Sequence, residues 1–193
     1  MFYSIRLERL SSRSAEIAAL IDLYTLRDPE FPAKALLWLD ATEKTMSELR
    51  LPEGAEMSTL RGGIVKADDI ARDEEGKRTR RAVTQARNAA AADALARGEQ
   101  ILRARITEAE DVLRRFEEKL VEAMTAAVLL GILPERRDEG REAWLYAVWA
   151  ALVNRQEIRP TTVYLAAALK SVDRLYVLDR VMDRVKDRTL PVM

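Results

Sequence analysis

The sequence predicts an all-α protein, a helical bundle with one long central helix at about residues 79–131. Three observations support this fold class. The chain has only 7 Gly and 6 Pro among 193 residues, and they fall between segments of helical periodicity. Val and Ile do not collect into alternating runs, which would indicate strands. The central segment contains no Pro, and its apolar residues recur at alternating spacings of four and three.

The N-terminal part reads as a helical hairpin over about 12–50, after a helical or extended lead-in. The first helix is predicted from Ser12 to Arg27, where Asp28-Pro29 ends it. The second begins near Pro32 and runs to about Arg50. Gly62-Gly63 are expected to interrupt a short helix, with helical sequence resuming near 66. The apolar faces contain Ile17, Leu20, Ile21 and Tyr24 in the first helix, and Ala35, Leu39, Met46 and Leu49 in the second.

The central helix carries a heptad seam, a stripe that other helices must cover. Gly98 lies within it without a capping residue after it, so the helix is expected to continue through that position. Gly131 and Pro134 are expected to end it. The seam consists of Leu102, Ile106, Ala109, Leu113, Phe116, Leu120, Ala123, Ala127 and Leu130, and Leu95 continues it upstream.

Two further helices are predicted at the C-terminal end, from about 139 to 155 and from about 160 to 187. The first is apolar nearly all round, which is typical of a buried helix. Pro160 opens the second. Because no linker-like stretch separates these elements, we expect a single all-helical domain over 1–193.

Composition argues against most kinds of enzyme. The chain has no His and no Cys, which removes the commonest general base, thiolate nucleophiles and the commonest metal ligands. We therefore predict no catalytic residue, no cofactor and no metal site. Carboxylates are frequent on the central helix, but they alternate with Arg and Lys, so a solvated, salt-bridged face is expected. These acids are Glu108, Glu110, Asp111, Glu117, Glu118 and Glu122.

The sequence also predicts a cytoplasmic protein. Charges interrupt the opening MFYSIRLERLSSR, which does not read as a secretory signal. The longest apolar stretches, 126–133 and 143–153, are shorter than the ~20 residues that a membrane-spanning helix needs. A membrane-active helical bundle is retained as the least favoured alternative. The excess of Arg and Ala suggests a GC-rich bacterial source.

Function is predicted from the seam and from one basic cluster. A long Ala-rich helix is stabilised by pairing, which favours an adaptor, assembly subunit or regulator that binds a protein partner or a second copy. Leu95, Leu102 and Ile106 are the predicted protein-binding residues. The alternative is a nucleic-acid-associated regulator. Its weaknesses are the preceding acids, 73–75, and the lack of an interleaved aromatic for base stacking. Its contact residues would be Lys77, Arg78, Arg80, Arg81 and Arg87.

Overall fold

The computed structural model describes residues 2–73, 80–135 and 140–189, apart from the side chains of 68, 71–73, 80, 81 and 185–189. Within these ranges every regular element is an α-helix, which confirms the predicted all-α class. The helices are α1 (Tyr3–Ala15), α2 (Ile17–Thr25), α3 (Phe31–Glu48), α4 (Gly54–Asp73), α5 (Arg80–Leu129), α6 (Arg141–Val153), α7 (Arg159–Ala168) and α8 (Ser171–Thr189).

The predicted long central helix is also confirmed. Helix α5 is continuous over 50 residues, about 75 Å at 1.5 Å per residue. Residue 79, the predicted first residue, lies outside the described residues, and the helix ends two residues before the predicted 131. Gly131 follows in a left-handed conformation with φ 64°, where a residue without Cβ is favoured.

Contacts divide the chain into two compact units, which we describe separately. The N-terminal unit is Arg6–Thr107, and the C-terminal unit combines Met1–Ile5 with Glu108–Met193. That the whole chain forms one domain stays a prediction.

The N-terminal unit has an apolar core to which α1 contributes Leu10 and which α2, α3, α4 and the first part of α5 share. Helices α3 and α4 run antiparallel. Gly54 lies against the last turn of α3 near Met46, and Arg61 pairs with Asp40 and Glu43, which come earlier in α3. Three of the four predicted inward positions of α3 are buried, whereas Leu49 is half-buried just after the helix ends. The core includes Ala35, Leu39, Met46, Met57, Ile64, Ala91, Leu95 and Leu102.

Two predictions for this unit were wrong. The expected helix from Ser12 to Arg27 is divided, because α1 ends at Ala15 and α2 begins at Ile17. Helix α4 runs without interruption through Gly62 and Gly63. Two interior glycines cost about 2 kcal/mol of helix propensity, but Met57 and Ile64 are fully buried on the same helix. Burying two such side chains offsets that cost.

Helices α2 and α3 end in the same way, and in each case an arginine occupies the left-handed position. Arg27 has φ 55° and Arg50 has φ 56°. In α2, Asp28 N–H donates to the Leu23 carbonyl at 2.9 Å, and Leu51 N–H makes the equivalent bond to Met46 at 2.8 Å in α3. Gly is the usual residue here because it carries no Cβ, although a cation is favoured near the carbonyl end of a helix.

In the C-terminal unit, other helices cover the second half of the seam, as predicted. Leu113 and Leu120 are buried, and the Phe116 ring contacts Tyr164 of α7 at a centroid distance of 6.0 Å. The assignment of Leu130 to the seam was wrong, because α5 ends at Leu129 and Leu130 is half exposed in the following turn.

The single helix predicted over 160–187 is two helices. Leu169 adopts an extended conformation, with φ −114° and ψ 141°, and α8 begins at Ser171. The break places Asp173 in the first turn of α8, where it is fully buried. Its carboxylate accepts hydrogen bonds from Tyr3 N–H at 3.0 Å, Ser4 N–H at 2.8 Å and the Ser4 hydroxyl at 2.6 Å. Asp173 therefore caps the N-terminus of α1, where a negative charge is favoured.

Candidate functional site

An open, partly apolar surface of the N-terminal unit is a groove between α3 and α4, which we call the α3–α4 groove. Leu37 is its most exposed apolar residue, at 64%, and Val65 is 47% exposed. The groove has a volume of about 950 Å³ and is open to solvent. Its lining comprises Ala33, Leu36, Leu37 and Asp40 from α3, and Ser58, Arg61, Gly62, Val65, Lys66 and Asp69 from α4.

Gly62 lines this groove on α4, and Gly63 follows it in the same helix. A Cβ placed on Gly62 or Gly63 would meet nothing within 4 Å, so neither residue makes room for another part of the unit. Glycine in a helix interior costs about 1 kcal/mol relative to alanine. Because Gly62 and Gly63 carry no side chain, the backbone of a neighbouring helix can approach α4 closely at this point.

Charged side chains lie along the rim of the groove. Arg61 forms ion pairs with Asp40 and, at 3.3 Å, with Glu43, so this cluster has a net charge of −1. Lys66 is exposed one turn further along α4, and no described carboxylate lies within ion-pair distance of it. The groove therefore presents an acidic cluster and a separate cation beside an apolar floor.

The predicted protein-binding residues lie in the intramolecular core instead. Leu95 and Leu102 are buried among residues of α3 and α4, and Ile106 is half-buried against the same cluster. These side chains are covered by the chain itself, and their role in binding a partner stays a prediction.

The structure describes the basic cluster in part only. Lys77 and Arg78 lie outside the described residues, and Arg80 and Arg81 are described by their backbone alone, at the start of α5. Arg87 is half-buried and already takes part in an interaction. The structure therefore does not establish a common phosphate-binding face for the five residues.

One of the acids expected to be solvated is buried. Glu117 is 1% exposed and forms ion pairs with Arg180 at 2.7 Å and Arg184 at 2.8 Å, both on α8. Arg180 also donates a hydrogen bond to the Tyr176 hydroxyl at 3.0 Å, and this bond, with the charge of Glu117, raises its pKa. The interpretation of Glu117 as a solvated charge was wrong. Helical spacing distinguishes the two acids, because Glu117 lies four residues after Leu113 and three before Leu120, on the seam face, whereas Glu118 lies about 100° further round the helix. This signal was overlooked, although the spacing does not show that α8 brings two arginines to Glu117.

The described residues form no metal site, and no known family is assigned to the chain. Among the described residues, no group of three or more Asp or Glu side chains is arranged to hold a metal ion. In the part of the chain that the structure covers, no helix combines the length and hydropathy needed to cross a bilayer. Comparison with protein-family models, curated proteins and solved structures finds no match.

Sequence reasoning did not identify the α3–α4 groove. One pattern pointed to it: Leu36 and Leu37 are adjacent apolar residues on a helix whose inward face Ala35 and Leu39 already fill. A second apolar side chain in such a pair turns away from the core.

Proposed function

We propose that this chain is a non-enzymatic helical interaction protein that associates with a second copy of itself through the α3–α4 groove. The observation that carries the proposal is the exposure of Leu37 and Val65 beside Gly62, where an added Cβ would meet nothing within 4 Å. Exposed apolar patches with a polar rim are typical of interaction sites.

A second α4, running antiparallel in the groove and centred on its glycines, matches this surface. If the two-fold axis passes between Gly63 and Ile64, Val65 of each copy lies opposite Gly62 of the other. Val65 then fits the gap left by the missing side chain, as a knob fits a hole. The contact is isologous, as a two-fold dimer requires.

The same register is electrostatically complementary. Residue 66 of one copy lies opposite residue 61 of the other. Lys66 therefore meets the acidic cluster of Asp40, Glu43 and Arg61, a +1 charge against −1. An ion pair on the rim chiefly fixes register and orientation, and most of the affinity is expected from the apolar floor.

The size of the groove sets the expected affinity. Helices of 18 and 20 residues that pack 8–10 Å apart present a face roughly 30 Å by 20 Å, on the order of 600 Å² per copy. This lies at the lower end of specific interfaces. We therefore expect a reversible dimer with a dissociation constant on the order of micromolar.

Sedimentation equilibrium over a concentration series tests the proposal. Leu37→Asp is expected to give a monomer with an unchanged helical circular dichroism spectrum, because Leu37 is exposed in the isolated unit. Leu129→Asp is the matched control: Leu129 is 82% exposed but lies outside the groove, and this variant is expected to remain dimeric. A wild-type chain that stays monomeric throughout the series would refute the proposal.

A charge exchange tests the register. Lys66→Glu is expected to weaken the dimer, because it places like charges together at the rim. Adding Asp40→Lys to that variant restores an opposite pair and is expected to recover part of the affinity. An equally weak double variant would show that the copies meet in a different register.

A further inference from the structure

A second cavity of the N-terminal unit differs in chemistry from the α3–α4 groove. It lies between the end of α2 and the first part of α5, and its volume is about 750 Å³, within the range of small-molecule sites. Its wall includes an aromatic ring, a guanidinium, a hydroxyl and two amides, which belong to Tyr24, Arg27, Thr25, Gln85 and Asn88. The described residues that line it include no carboxylate.

Arg27 supplies the positive charge. It occupies the left-handed position at the end of α2, and within the described chain no carboxylate pairs with its side chain. Other arginines of the described chain pair with Asp or Glu side chains, as Arg61 and Arg141 do. An exposed guanidinium beside a cavity without acids is suited to a phosphate, which it binds through two parallel hydrogen bonds.

Tyr24 supplies a flat apolar surface. It contacts Phe31 with a centroid distance of 5.2 Å and an interplanar angle of 55°, and the residue remains 47% exposed. An exposed aromatic ring of this kind is a platform for base stacking, which tolerates any base. Gln85 and Asn88 each carry a hydrogen-bond donor and acceptor, as base edges require.

We propose that this cavity binds a nucleotide, with the base stacked on Tyr24, its polar edge facing Gln85 and Asn88, and its phosphate on Arg27. The proposal does not depend on dimerisation through the α3–α4 groove. The cavity also bears on the nucleic-acid alternative, which lacked an aromatic residue for base stacking within the segment Lys77–Arg87. The fold places Tyr24 of α2 in the same cavity wall as Thr84 and Gln85 of that segment. The nucleotide has two possible sources, a free mononucleotide or one unit of a single strand.

Isothermal titration calorimetry of the full chain with AMP, and separately with a short mixed-sequence RNA strand, tests the proposal. Arg27→Gly is the main variant, because it removes the charge while relieving the positive φ, so the fold is expected to gain stability as binding is lost. Arg50→Gly relieves the same strain at the end of α3, outside the cavity, and is the matched control. We expect Arg27→Gly to weaken binding about tenfold or more and Arg50→Gly to leave it unchanged.

A second pair of variants tests the stacking role. Tyr24→Leu is expected to weaken binding about tenfold, whereas Tyr24→Phe keeps the ring and is expected to retain it. Binding of AMP identifies a free nucleotide as the source, and binding of the RNA strand alone identifies a strand. Absence of binding to both probes overturns the proposal, as does binding that Arg27→Gly and Tyr24→Leu leave unchanged.

Discussion

Substitution of Gly98 by alanine offers a direct test of how closely α5 approaches α3. Gly98 is buried in the middle of α5. A Cβ at this position would lie 2.9 Å from Cζ3 of Trp38 and 3.2 Å from Cδ2 of Leu39. Carbon atoms ordinarily make contact at about 3.5–4.0 Å, so the ring would have to move by roughly 0.5–1 Å. Trp38 resists this movement because its Nε1–H donates to the Arg13 carbonyl at 2.9 Å.

Two opposing terms determine the effect of Gly98→Ala on stability. Alanine gains about 1 kcal/mol over glycine in a helix interior. Insertion of a methyl group into a packed core costs about 1–3 kcal/mol, and the held indole ring favours the middle of that range. The expected net change is a loss of about 1 kcal/mol in the free energy of unfolding.

Gly63→Ala is the matched control, since it places the same methyl group in open space on α4 of the single chain. Both variants are unfolded at a protein concentration well below the dissociation constant of the proposed dimer, so that association does not contribute. This variant is expected to gain about 1 kcal/mol, so the two variants differ by about 2 kcal/mol. At a slope of about 2 kcal/mol per M, their urea midpoints should differ by about 1 M, measured by circular dichroism. A Gly98→Ala midpoint as high as that of Gly63→Ala would refute the close approach of α3 and α5.

Three further predictions concern charged groups. Glu117→Ala is expected to lower the free energy of unfolding by about 1–2 kcal/mol, because it removes two ion pairs whose arginines are themselves about half exposed, whereas Glu118→Ala at the exposed neighbouring position should change it little; equal urea midpoints would contradict the burial of Glu117. Asp173→Ala is expected to cost about 2 kcal/mol and to speed amide hydrogen exchange in the first turn of α1; unchanged exchange there would refute the cap. A hydrogen bond from Arg9 lowers the pKa of Glu48, so its contribution to stability is present at neutral pH and is lost as the pH falls through that lowered pKa. Glu48→Gln should therefore differ from wild type in urea midpoint at neutral pH and converge with it in acid; a constant difference would contradict the pairing.

Local sequence determined the fold class and the long helix. The absence of Pro from 80–129 and the four-three apolar spacing act within one helix, so they can be read without knowing what lies opposite. The same spacing correctly predicted the burial of Leu113 and Leu120, because a continuous apolar ridge on a long helix is covered in the folded protein. The same spacing wrongly assigned Leu130 to the seam, because periodicity alone does not show where a helix ends.

Tertiary structure decided everything that depends on which residues meet across helices. Helical spacing places Glu117 on the seam face, but only the position of α8 supplies the two arginines that pair with its carboxylate there. Gly62-Gly63 break no helix because α4 gains burial energy against α3, and Tyr24 reaches the start of α5 only through the fold. Helical periodicity shows in which direction a side chain points from the axis of its own helix. A binding surface also requires the relative placement of two helices, which no local sequence pattern contains.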